Sequence, residues 1–571
     1  MSTVPHFMTS HERVHLSQLQ LNAGEAPPSS PTLDERVDNL FAPIADRLSA
    51  IVFFEIPLGP IGIPVVVIWL MAAAIFFTAW LKWQPLRGLK HSLDVIRGKR
   101  SAKTDPGQVS SFQALATELS GTVGLGNIAG VAVAISLGGP GAALWIVIFG
   151  FFAMTLKMAE ATLGVKYRTI DKKGVVSGGP MYYLRDGLKE LGWPKLGLGL
   201  AICYAVFTAI GAVGAGNLFQ ANQVAAAVVN ATGGEDSFFA GQLWILGLMM
   251  AVLTAVVVLG GITSIARWTS KVTPLMAVLY LVSTVVIILL HVTELPAAVA
   301  TIFQSAFTGE GVAGGAVGVA IIGIQRALFS NGGGLGTAGM AHAAVKTKHP
   351  GTEGYTALWE PLIDSIIICT LTALAITVTG AYQMETEDGS TAEGVAITQS
   401  AFASVADWYP YLLTACIVLF GVSTLFSYGY YGQKSIGFLF GGSKIAEKGY
   451  QIFWVLAVIV GASVSLDSVI AFSDAVFFLM VLPNLLGMYF LARVLRLEIL
   501  RHQTRTEVGT LGEIPDDLQV GMTGSHDPTP EQVEAAKARE QRRKRKLGKV
   551  RAGFRRARAE REDETGDSEP V

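Results

Sequence analysis

Two stretches decide the fold. The first reads Gly121-Thr122-Val123-Gly124-Leu125-Gly126-Asn127-Ile128-Ala129-Gly130-Val131-Ala132, and the second Ser330-Asn331-Gly332-Gly333-Gly334-Leu335-Gly336-Thr337-Ala338-Gly339-Met340-Ala341. Each lies inside a long apolar run. A glycine in a helix interior costs about 1 kcal/mol relative to alanine. In return it adopts positive φ and lets a ligand approach the backbone. Backbone freed in lipid must be satisfied inside the protein. The two stretches are therefore read as breaks in membrane helices, with free N–H groups suited to a carboxylate and free carbonyls suited to a cation. Close helix packing is the competing reading, and Gly126-x-x-x-Gly130 fits it. Asn127 and the pair Ser330-Asn331 put polar side chains beside the glycines and favour the break. Thr122-Val123-Gly124-Leu125-Gly126 also comes close to a potassium filter. Such a filter needs four loops around one pore, and this chain has two.

Around these stretches the chain is built for a bilayer. Of 571 residues, 51% are hydrophobic and only 15% charged, against roughly 25% charge in soluble domains. Eleven apolar runs approach the ~20 residues needed to cross ~30 Å of hydrocarbon. They cover roughly 60–81, 109–137, 142–165, 198–229, 240–262, 270–290, 312–345, 357–380, 408–433, 450–465 and 469–492. This predicts an all-α integral membrane protein with 11 transmembrane helices. A polar amino-terminal segment, 1–59, precedes a transmembrane domain, 60–495; a basic tail, 496–571, read as largely disordered or helical, follows. The three cysteines, Cys203, Cys369 and Cys416, all sit in apolar runs and have neither disulfide nor metal spacing. No secretory signal peptide is visible. Paired catalytic carboxylates, HExxH and Gly-x-Ser-x-Gly are missing from the sequence, which argues against an enzyme.

The loop charges set an orientation. Lys82 to Lys103, Lys166 to Lys195, Arg267 and Lys271, Lys346 and Lys348, and Lys434 to Lys448 fill alternate loops. The loops between them, 138–141, 230–239, 291–311, 381–407 and 466–468, hold no Lys or Arg. The positive-inside rule then puts the amino terminus outside and the tail in the cytoplasm. The sequence also repeats. Gly124-Leu125-Gly126 answers to Gly334-Leu335-Gly336, and Ala143-Leu144-Trp145 to Ala357-Leu358-Trp359. The unit is five spans, 109–290 and 312–492, with the first span extra. Five is odd, so the second copy enters from the other side, which is the inverted repeat of secondary transporters.

Other polar residues fall in the spans. Asn217, Gln220 and Asn222 offer amides suited to a zwitterion, or to bonds between helices. Lys157 and Glu160 are read as a structural i, i+3 pair, Glu360 and Asp364 as a gate or anchor, and Arg326 with Asp474 as an external gate. The residues expected at the substrate are Thr122, Gly124, Gly126, Asn127, Gln220, Asn222, Ser330, Asn331, Gly334 and Thr337. With no acid or base expected inside either break, a small neutral substrate is favoured. Thirteen basic residues lie between Lys537 and Arg561. They suit anionic lipid heads or a solvated tail, with no folded nucleic-acid module behind them.

The ordered blocks resemble the alanine/glycine:cation symporter family, the bacterial sodium:alanine symporters. They are Gly121 to Ala132, Gly138-Gly139-Pro140-Gly141-Ala142, Ala159 to Thr162, Val165 to Arg168, Gly178 to Tyr183, Arg326 to Asn331, Ala341 to Ala344, Glu360 to Asp364, Ser423-Thr424 and Tyr430 to Gly432. The resemblance implies a leucine-transporter-like 5+5 inverted repeat and a place in the cytoplasmic (inner) membrane. It also implies small neutral amino acids as substrates and Na⁺, or in some members H⁺, as coupling ion, without another cofactor. A sodium site is implied between Ser423 and Thr424 of the ninth span and Ser120 and Val123 of the first break. Hydroxyls bonding back to their own helix are the alternative there. The family's usual Glu at the second break is Gly332 here, and its usual Thr at the first is Leu125.

Overall fold

The computed structural model describes residue 43 and residues 46–58, 61–97, 105–171, 174–309, 314–383 and 394–508. The polar amino terminus up to residue 42 and the basic tail beyond 508 lie outside the described residues. The described residues are mostly helix, with two small antiparallel hairpins among them, Glu55–Leu58 with Ile61–Pro64 and Thr169–Ile170 with Val176–Ser177.

The principal helices, in order, begin with α1 (Val65–Trp80), α2 (Ser111–Thr122), α3 (Ala129–Gly138), α4 (Ala142–Lys166) and α5 (Pro180–Glu190). Next come α6 (Pro194–Ala231), α7 (Leu243–Val258), α8 (Gly261–Leu290), α9 (Leu295–Thr308), α10 (Gly315–Asn331) and α11 (Thr337–Ala343). The last are α12 (Pro350–Val378), α13 (Val395–Ala403), α14 (Tyr409–Leu439), α15 (Lys444–Gly461) and α16 (Leu466–Val508). Among the described residues six helices, α4, α6, α8, α12, α14 and α16, are long and apolar enough to cross a membrane, and the bent pair α2–α3 makes a seventh candidate. The apolar helices α1, α7, α9 and α10 are shorter. Exposed Leu253, Val256, Leu275, Val278, Val282 and Leu289 line α7 and α8, an apolar surface that suits lipid tails.

Two expectations need correction. The stretches 291–311 and 381–407, read as loops, carry α9 and α13. At 14 and 9 residues these helices are too short for a span and so escape a search for long apolar runs. The amide-bearing helix α6 also departs from plain 3.6-residue geometry, because Gly214–Leu218 winds as a π-helix. Leu362–Cys369 of α12 does the same.

Four long helices, α4, α8, α12 and α14, frame the breaks. Helix α4 packs against α10, α11 and α12, while α2 lies on α8 and α14. Gly164 of α4 lets α11 approach closely: a Cβ there would sit 2.2 Å from the Gly339 carbonyl oxygen.

Candidate substrate and cation site

Helix α2 starts firmly and stops abruptly. Ser110 and Gln113 form a reciprocal capping box at its start. After Thr122 the backbone leaves the helix, Gly124 is extended (φ −133°, ψ −152°), and a 3₁₀ turn, Leu125–Asn127, leads into α3. The two halves differ in direction by 55°. Asn127 stabilises the break by accepting the Gly124 N–H at 3.0 Å. Its amide donates to the Asp364 carboxylate at 2.7 Å and the Asp364 carbonyl at 3.1 Å. The second break runs from Gly332 to Gly336. Gly332, Gly334 and Gly336 take φ of +63°, +98° and +88°, values that side chains with a Cβ rarely adopt.

The breaks touch. A Cβ on Gly126 would lie 3.0 Å from Ser330 Cα and 3.4 Å from the Phe329 carbonyl oxygen. Asp364 joins them, since Ser330 donates to its Oδ2 at 2.8 Å while Asn127 holds its Oδ1. Asn331 donates to Ser365 and accepts the Gly333 N–H. Asp364, expected with Glu360 as a gate or anchor, is therefore a central residue that joins the two breaks.

Acids and a base do surround the second break, contrary to expectation. The Gly334 N–H donates to Glu160 at 2.8 Å. Thr337, the first residue of α11, donates to Glu118 at 2.6 Å and accepts from Lys157 at 3.2 Å. Lys157 pairs with Glu118 at 2.6 Å and lies 3.6 Å from Glu360, rather than pairing with Glu160. Tyr431 completes the Glu118 shell by donating to its other oxygen. All these carboxylates are fully buried. Glu118 went unnoticed because a lone acid barely dents the hydropathy of a long run.

The remaining expected residues divide. Gln220 reaches the first break: its Oε1 would lie 3.6 Å from a Gly124 Cβ and is buried without a hydrogen-bond partner, while its amide donates to the Ala215 carbonyl. Thr122 bonds back to the Glu118 carbonyl. Asn222 is not brought to the breaks; it donates to the Val464 carbonyl at 2.6 Å. Asn217 donates to the Trp454 carbonyl.

Oxygens gather where α14 crosses the end of α2. Thr424 donates to the Ser120 carbonyl at 3.0 Å and to its own helix at Phe420, 2.9 Å. Ser120 donates to the Ser423 carbonyl at 2.8 Å, and Ser423 bonds back to Phe420. Val123 ends α2 within this group. Hydroxyl and carbonyl oxygens, with the orphaned Gln220 Oε1 nearby, are the ligand types that replace the hydration shell of an alkali cation.

One face is tied shut by backbone pairing. Val109 bridges Val345, and Arg168 donates to the carbonyls of Ala343 and Val345, each at 2.5 Å, Thr347 at 2.7 Å and Pro106 at 2.8 Å. Burial pulls Arg168 down to about 10, against the charges of Glu353 and Asp105, so it remains a cation at neutral pH. On the other face Arg326 pairs with Asp474, as the sequence suggested.

A bent membrane-length helix pair meeting a second glycine break, with buried oxygen ligands beside them, is the construction of a secondary transporter. The chain belongs to the sodium:alanine symporter family, whose model matches residues 53–513. It is a transporter and not an enzyme. The sodium/alanine symporter AgcS of Methanococcus maripaludis is 38% identical over 76% of this chain and 92% of its own. The probable sodium/glutamine symporter GlnT of Bacillus subtilis is 33% identical, over 75% and 85%. The putative sodium/proton-dependent alanine carrier protein YrbD of the same organism is 31% identical, over 76% and 89%.

Proposed function

We propose that the chain couples Na⁺ entry to uptake of a small neutral amino acid, alanine or glycine foremost, by alternating access in a cytoplasmic membrane. The observation that carries this reading is the meeting of α14 hydroxyls with the end of α2, Thr424 Oγ1 lying 3.0 Å from the Ser120 carbonyl beside the first break. In this reading Ser120, Val123, Ser423 and Thr424 take the cation. Thr122, Gly124, Gly126, Asn127, Gln220, Ser330, Asn331, Gly334 and Thr337 bind or shape the substrate site. Relatives named for alanine and for glutamine support a neutral amino acid.

The same reading takes the domain 60–495 as eleven crossings in a leucine-transporter-like 5+5 inverted repeat. Helix α1 stands outside the repeat, the amino terminus lies outside the cell and the tail in the cytoplasm. A negative interior contributes about 2.3 kcal/mol per charge per 100 mV, enough to concentrate a zwitterion carried with one Na⁺. Uptake of radiolabelled alanine and glycine into proteoliposomes under a sodium gradient tests the proposal. Sodium-dependent, electrogenic uptake is expected. Equal uptake after replacing sodium with choline at constant pH overturns it.

A further inference from the structure

A groove of about 240 Å³ lies where α7, α8 and α14 meet. Its walls are apolar: Leu253 and Val256 from α7, Trp268 and Val272 from α8, Val418 and Val422 from α14. Trp268 and Val272 stand i, i+4, as do Val418 and Val422, so α8 and α14 each present one stripe along the groove. Leu253, Val256 and Trp268 are also exposed, so the groove opens outward on the apolar surface of α7 and α8. Ser423 lines it as well, although that residue is almost wholly buried. An empty apolar groove forfeits the dispersion contacts of its walls, and in a bilayer the filling at hand is hydrocarbon.

One end of the groove is basic. Arg267 and Lys271 each stand one residue before a groove residue of α8, Trp268 and Val272. They are themselves i, i+4, so they form a charged stripe beside the apolar one. Both are exposed. The sequence holds no Asp or Glu between Asp236 and Glu294, so α7 and α8 bring no counter-charge of their own. Trp268 adds an indole, whose apolar body and polar N–H suit the level of lipid headgroups. A ligand that fits carries an anionic group at one end and a hydrocarbon chain at the other. A two-fold contact centred on the groove would instead bring the basic pairs of two copies toward each other.

We propose that this groove binds one acidic phospholipid of the inner leaflet: an acyl chain lies along α14 between α7 and α8, and the phosphate sits at Arg267 and Lys271. The same stretch of α14 meets α2. Ser120 donates to the Ser423 carbonyl at 2.8 Å, and Thr424 donates to the Ser120 carbonyl at 3.0 Å. An acyl chain against Val422 and Ser423 restrains the stretch that carries these oxygens, so sodium is held more tightly when the groove is filled. The lipid site stands on the groove and its charges; its leaflet rests on the orientation read from the loops, and its effect on sodium rests on the symport reading.

The full chain would be placed in vesicles of phosphatidylcholine and phosphatidylglycerol, with one of the two lipids carrying brominated acyl chains that quench indole fluorescence on contact. The chain has 10 tryptophans, so the Trp268 signal is the difference between the chain with and without Trp268→Phe. Brominated phosphatidylglycerol is expected to quench that signal with about 30-fold higher apparent affinity than brominated phosphatidylcholine, the contribution of two basic residues near the surface. Arg267→Gln combined with Lys271→Gln should abolish the preference. Equal quenching by the two lipids overturns the site, and so does a preference that survives the double variant. In unbrominated vesicles, half-maximal alanine uptake should need about fivefold less sodium with phosphatidylglycerol than with phosphatidylcholine alone, the lower end of coupling between sites. Val418→Trp, which fills the groove, should lose this shift while meeting the same membrane surface charge. A shift of equal size in Val418→Trp overturns the coupling to α14. Uptake independent of sodium overturns the symport reading, and the quenching preference then still decides the lipid site.

Discussion

Replacing Arg168 should open the face it ties. Its guanidinium donates to four backbone carbonyls on two segments, 343–347 and Pro106. A hydrogen bond from a charged donor is worth about 1.5–3 kcal/mol net, so four would sum to about 6–12 kcal/mol if none were replaced by water. An opened face admits water to the same carbonyls, and the Val109–Val345 bridge with its backbone bonds remains. A differential loss of about 2–3 kcal/mol is the reasonable figure, and it shifts the closed-to-open ratio about 30- to 150-fold. Lysine cannot span four carbonyls with one compact ammonium, so Arg168→Lys should fall between wild type and Arg168→Ala. The assay is the labelling rate of Thr347→Cys by a membrane-impermeant thiol reagent, in a background lacking Cys203, Cys369 and Cys416. Thr347 is fully buried, so slow labelling is expected with Arg168 and labelling at least about tenfold faster without it. Equal rates would refute the idea that these bonds hold the face closed.

Three further outcomes follow from the breaks. Gly126→Ala places a methyl 3.0 Å from Ser330 Cα; uptake should fall with a raised KM for alanine while detergent melting stays near wild type, and a normal KM would show that the breaks separate freely. Thr424→Val removes the hydroxyl that meets Ser120; half-maximal uptake should need about tenfold more sodium, equivalent to about 1.4 kcal/mol, with Thr424→Ser near wild type, and unchanged sodium dependence moves the cation elsewhere. Gly332→Glu inserts a side chain at φ +63°, its Cβ 3.3 Å from Lys157 Nζ; it should lower stability by about 1–2 kcal/mol from the left-handed backbone alone and alter cation dependence through Lys157, whereas an inert substitution would show that the position lies apart from transport.

Both breaks were legible because glycine at alternate positions contradicts an otherwise continuous helix. The polar core was not. Lys157 has Glu160 three residues on, so a local rule pairs them; its partner Glu118 lies 39 residues away, and only the packing of α4 on the second break reveals it. Asp364 was read with Glu360 as a gate or anchor because the two stand i, i+4 near one end of an apolar run, while the π-helical winding of Leu362–Cys369 alters which residues share a face. Asn222 shows a signal that was available: two residues after Gln220 on a helix, it points well away from it. Arg326 and Asp474 could be matched because each stood as a lone charge near the same end of its run.

The pairing order within the ionic core also bears on how the chain is made. Glu118 and Lys157 belong to α2 and α4, and His342 meets Glu353 and Glu360 between α11 and α12, so these strong contacts link segments synthesised one after another. A single charge at the centre of an inserting helix costs about 2.5–3.5 kcal/mol. Lys157 of α4 can therefore leave the insertion machinery with a partner already in place on α2, and Glu353 and Glu360 of α12 with one on α11, while the Lys157–Glu360 contact waits for α4 and α12 to come together.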